Sequence, residues 1–99
     1  MNQTEVIKLA EKHAAELGYD IPSMKVIVEK YNKPWNRWLR KTSTDEYCVE
    51  RKNLLKGKTY WAVYFSHNEE VDGRRYRGGD ICVFIDVTTS EIITNVRGK

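Results

Sequence analysis

The run KTYWAVYFS at residues 58–66 constrains this chain more than any other segment. Successive side chains of an extended strand point to opposite sides, which puts Trp61, Val63 and Phe65 on one side and Tyr60, Ala62 and Tyr64 on the other. Both sides are apolar, the mark of a central strand. Downstream, residues 80–87 alternate Ile81, Val83, Ile85 and Val87 against Cys82, Phe84 and Asp86. A last short strand at 91–96 follows the turn at 88–90, so these two form a tight hairpin. Upstream, Pro22 closes a short connection, and Met24, Val26 and Val28 then alternate with Lys25, Ile27 and Glu29, as in a strand with one buried face.

Before these strands, Ile7, Ala10, Ala14 and Leu17 recur at helical spacing, with Glu5, Lys8, Glu11, Lys12 and Glu16 mostly on the other side. Asn2 followed three residues later by Glu5 reads as a capping box, and Gly18 as a left-handed stop. Residues 30–55 show neither period cleanly, and Pro34 interrupts the strand, so an excursion from the sheet is expected there. Within it, Ser43 with Glu46 is a capping-box signature and Lys56-Gly57 an end signal. A second short helix at 44–55 is favoured over a strand through Tyr47 and Val49. Residues 68–79 carry Asp72-Gly73 and close on Gly78-Gly79, the pattern of an exposed hairpin extension with a bulge. The implied fold is α+β, an N-terminal helix packed on an antiparallel sheet of about four strands. One helix covers one face, leaving the opposite face open as a binding surface.

At 99 residues the chain makes a single domain, 1–99. Its apolar content and eleven aromatic residues exclude disorder as the main state. With 17 Lys+Arg against 14 Asp+Glu, the net charge of +3 belongs to a mixed surface and not to a dedicated nucleic-acid arm. No stretch is apolar enough to span a bilayer and the N-terminus has no signal-peptide pattern, so the expected location is the cytoplasm. Cys48 and Cys82 are then expected as reduced thiols. These two with His13 and His67 are scattered singly and lack the spacing of a zinc site.

A nucleophilic site would draw on Cys48 or Ser66 with His13 or His67 and Asp86, but none occupies a nucleophile elbow or glycine-rich turn. Glu69-Glu70 reads as a solvated acidic turn, and Gly78-Gly79 lacks the lysine and helix of a phosphate loop. No catalytic residue, cofactor or metal is therefore assigned. Binding is better represented. The segment KYNKPWNRWLRK at 30–41 holds five basic residues, no acid, and Tyr31, Trp35 and Trp38. Cations and stacking planes in this mixture serve single-stranded nucleic acid or protein interfaces alike, and one of the two tryptophans is equally suited to capping the core. Arg74, Arg75, Tyr76 and Arg77 form a second such cluster. The candidate partner-binding residues are Trp35, Arg37, Trp38, Arg74, Tyr76 and Arg77, flanking the open face.

Tyr60-Trp61-Ala62-Val63, Gly78-Gly79-Asp80, Val83-Phe84-Ile85-Asp86, Glu91-Ile92-Ile93 and the closing Gly98-Lys99 together resemble the pattern of the small NTF2-fold immunity proteins of bacterial polymorphic-toxin systems. The resemblance covers residues 58–99. PepSY-like and cystatin-like domains share a tryptophan strand followed by a similar hairpin, and Ser90 stands where the family's turn has Gly. Such a resemblance implies a non-enzymatic protein that binds a cognate toxin domain in the cytoplasm and blocks its active site. A net charge of +3 points to a toxin with a neutral or acidic mouth. The alternatives from other classes are a single-stranded nucleic-acid or peptide-binding module and a small NTF2-like enzyme.

Overall fold

The computed structural model describes residues 2–67 and 80–97, and of His67 the backbone only. The expected hairpin extension at 68–79, with Arg74, Tyr76 and Arg77, and the closing residues 98–99 lie outside the described residues. The fold is α+β, with two helices packed on a four-stranded open antiparallel sheet. Helix α1 spans Gln3–Glu16, β1 Met24–Tyr31, α2 Glu46–Leu55, β2 Tyr60–His67, β3 Ile81–Asp86 and β4 Ile92–Arg97. Strand order follows chain order, β1-β2-β3-β4, every neighbour antiparallel.

Helix α1 starts at the expected capping box: Asn2 Oδ1 accepts from the Glu5 amide at 2.9 Å, and Glu5 Oε1 from the Asn2 amide at 3.3 Å. Its end is a Schellman motif, with the Tyr19 amide bonded to the Ala14 carbonyl, the Gly18 amide to that of Ala15, and Gly18 at φ +96°. The buried stripe is Val6, Ala10 and Ala14, with Leu9 beside it. Ile7 is only half-buried, and Leu17, as the C-cap, is exposed beyond the last helical turn. Against this stripe pack Val63, Phe65, Ile81, Val83 and Ile85, which forms the first core. Trp61 lies at the margin of that core, half-buried, with Lys30 Nζ 5.0 Å from its ring centre.

The opposite face of the sheet is not open. Tyr60, Ala62, Tyr64, Cys82, Phe84 and Val96 are buried there beneath Leu39 of the excursion and Leu55 of α2. The cause lies in the alternation of β2 and β3: their second sides are as apolar as their first, and such a surface stays out of water only if something covers it. With α1 on the other face, the chain between β1 and β2 supplies the cover. Its second helix is present as favoured, but Asp45 caps it, accepting from the Cys48 amide at 3.3 Å. Ser43 instead takes the amide of Asp45, at 3.4 Å.

At the β3–β4 hairpin, Asp86 Oδ1 accepts from the amides of Thr88 at 2.7 Å and Thr89 at 3.3 Å. Lys58 Nζ lies 3.5 Å from Oδ2 of the same carboxylate. These amides hold the Asp86 carboxyl below its usual value of 3.8, with Lys58 adding to the effect. Ser90 adopts φ +62°, the conformation that glycine takes without penalty.

Candidate protein-binding surface

The excursion is shaped from within by Asn36. Its Oδ1 accepts from the amides of Trp38 at 3.0 Å and Leu39 at 3.1 Å, while its own amide donates to the Leu39 carbonyl. This closed turn drives Leu39 into the core and lays Trp38 against Tyr64, ring centres 5.5 Å apart. A second set of bonds fixes the turn to the sheet. Asn36 Nδ2 donates to Tyr60 Oη at 3.0 Å, and the Tyr60 hydroxyl donates to the Lys33 carbonyl at 2.7 Å. Lys52 of α2 secures the next stretch, its Nζ 2.9 Å from the carbonyls of both Arg40 and Ser43.

Arg37 projects from this platform. Its Nε and Nη2 donate to the two oxygens of Glu29 at 3.1 and 2.9 Å, and Tyr31 adds its hydroxyl to Glu29 at 2.7 Å. The Arg37 bond, then that of Tyr31, holds the Glu29 carboxyl below its ordinary 4.5. The Arg37 side chain stays 54% exposed, held in one geometry yet open to a partner. Beside it, a cavity of about 680 Å³ is lined by Arg37, Trp38, Arg40, Tyr47, Asp80 and Arg97 among others. Among the described residues the guanidinium groups of Arg40 and Arg97 have no hydrogen-bond or ion-pair partner. Tyr47 is fixed: its ring carries the Arg51 guanidinium at 3.5 Å, and its hydroxyl accepts from the Arg97 amide at 3.2 Å.

Of the six expected binding residues, Arg37 and Trp38 are thus brought together at this cavity. Trp38 also packs on the second core, the capping use expected of one of the two tryptophans. Trp35 does not line the cavity. Lys33 and Lys41 stand over its ring at 5.7 and 4.8 Å, so its π-face already has cation partners and is not a bare stacking platform. Arg74, Tyr76 and Arg77 lie outside the described residues. Sequence reasoning missed Arg40, Tyr47 and Arg97. Arg40 was within the basic segment, but nothing in the order of residues brings α2 and the end of β4 to it.

Of the groups considered for chemistry, His13 and Asp86 make side-chain contacts within the fold, and the side chain of His67 lies outside the described residues. His13 Nε2 meets Asn95 Nδ2 at 3.0 Å, linking α1 to β4. Burial pushes the Cys82 thiol up, so it stays protonated beneath the excursion. Burial likewise raises Tyr60 to about 12, and Tyr64 is raised for the same reason. Among the described residues no helix is long and apolar enough to cross a membrane. Comparison of the chain with protein-family profiles, with curated proteins and with solved structures finds no match.

Proposed function

We propose that this protein is an immunity protein: it binds a cognate bacterial toxin domain in the cytoplasm and neutralises it by occluding the toxin's active site, with no catalysis of its own. The observation that carries this reading is the guanidinium–aromatic rim of the cavity. Arg37 is held by Glu29 and Trp38 by Tyr64, so both meet a partner in one conformation and little side-chain entropy is lost on contact. Rigid Trp, Tyr and Arg at a concave centre are the groups in which interface energy concentrates. Among the described residues the guanidinium groups of Arg40 and Arg97 have no partner, which favours a neutral or acidic toxin surface, in keeping with the net charge of +3.

The test is protection in cells. If the adjacent gene encodes a toxin domain, co-expression with that domain should restore growth, and Arg40→Glu with Arg97→Glu should abolish the rescue while the protein stays folded. Rescue that survives both reversals would remove the cavity from the mechanism. Absence of rescue by the wild-type protein against that toxin would overturn the immunity reading.

A further inference from the structure

The two edges of the sheet are treated differently. At β4, side chains of α2 occupy the backbone: Arg51 Nε donates to the Asn95 carbonyl at 2.7 Å, and Tyr47 Oη accepts from the Arg97 amide. The other edge is β1, eight residues long and paired with β2 throughout. No described residue pairs with its outer side. Ile27, in the middle of this strand, is 44% exposed, and Val26 and Val28 are half-buried.

We infer that the outer edge of β1 pairs antiparallel with β1 of a second copy of this chain, with Ile27 facing Ile27 of the partner subunit across a two-fold axis. The order of residues is self-complementary about that point. Lys25 comes opposite Glu29 of the partner subunit, Val26 opposite the partner's Val28, and each of these pairs occurs twice. Opposite-charge and β-branched pairs of this kind are what stabilise neighbouring antiparallel strands. A slip by two residues would set Ile27 against Glu29 or Lys25, and a slip by one would set the side of β1 that faces α1 against the side that faces the excursion. The axis leaves both copies of α1 on one face of a continuous eight-stranded sheet.

Lysines on an edge strand commonly guard against such pairing. Here Lys30 is folded back over Trp61 on its own sheet, and Lys25 gains a carboxylate partner, so neither repels the second copy. The Glu29 carboxylate, though held by Arg37 and Tyr31, has acceptor capacity left for an ammonium. One strand pair is a small interface, so the dimer is weak and dissociates on dilution.

Sedimentation over about 10 to 500 µM tests this, a range chosen for an interface below standard size. The expected result is a concentration-dependent rise from the 11.6 kDa monomer toward twice that mass. Ile27→Lys places two ammonium groups opposite one another and should leave a folded monomer throughout, its circular dichroism unchanged. Ile27→Cys with Cys48→Ser should oxidise to a covalent dimer, because directly opposed residues have Cα atoms about 4.5 to 5.5 Å apart, within disulfide reach. A wild-type monomer at every concentration overturns the proposal. So does a dimer that persists in Ile27→Lys, or an Ile27→Cys protein that does not cross-link.

Discussion

Asn36 Nδ2 stands 3.0 Å from Tyr60 Oη, joining the turn of the excursion to the first residue of β2 across 24 positions of chain. Because the same hydroxyl donates to the Lys33 carbonyl, one buried phenol links the sheet to two points of its cover. Tyr60→Phe keeps the ring, stacked on Tyr31 and edge-on to Phe84, but removes both bonds. It should cost about 1 to 3 kcal/mol, the penalty for orphaned buried partners. Leu39→Ala, which empties the centre of the cover, should cost about 2 to 5 kcal/mol. Urea unfolding of each variant checks both. A Leu39→Ala protein as stable as the wild type would mean that the excursion is not the roof of the second core.

The sheet and α1 were legible because their periods are strong: two-sided alternation in β2 and β3, and a capped helix ending at Gly18. The cover was not. Its order comes from single long-range contacts, such as Lys52 to the Arg40 and Ser43 carbonyls and Arg51 to Asn95, which leave no periodic trace. Helix α2 buries only Leu55 completely, so its pattern is weak even though the helix is there. One signal was nonetheless present in the sequence. Tyr60, Ala62, Tyr64, Cys82 and Phe84 announce a second apolar face, and that face required a lid.

Lys52 makes a separate prediction. Lys52→Met preserves the aliphatic stem but leaves the carbonyls of Arg40, Lys41 and Ser43 without their ammonium donor. These groups are partly solvated, so the expected loss is about 1 to 2 kcal/mol. Hydrogen exchange should quicken in residues 40–45 before the rest of the chain. Uniform protection in the variant would show that the ammonium does not order this stretch.

Ser90 holds a positive φ that costs a non-glycine residue about 1 to 2 kcal/mol, and glycine also loosens the unfolded chain by about 0.4 to 1 kcal/mol. Ser90→Gly should therefore raise stability by about 0.5 to 1 kcal/mol, read as an increase in the urea midpoint. A lowered midpoint would mean that the serine makes a compensating interaction in the folded turn.

Stability should also fall at both ends of the pH scale. Glu29 and Asp86 titrate below their usual values in the folded protein, so their contribution is present above those values and is lost as pH falls through the lowered ones. Tyr60, raised to about 12, stabilises the fold below the ordinary tyrosine range and ceases to do so as pH climbs toward that value. Unfolding followed from pH 2 to 12 should show both losses. Glu29→Gln combined with Asp86→Asn should flatten the acid limb alone. An acid limb of unchanged slope would assign the loss to other carboxylates.

Calorimetric titration of the purified protein against a candidate toxin domain from an adjacent gene, and against single-stranded oligonucleotides, at low and moderate salt tests the central claim most directly. The account predicts tight toxin binding that salt weakens only modestly, with Arg40→Glu and Arg97→Glu each weakening it at least about 30-fold, as anchors worth about 2 kcal/mol do. Steeply salt-dependent oligonucleotide binding, with no affinity for the toxin, would contradict it.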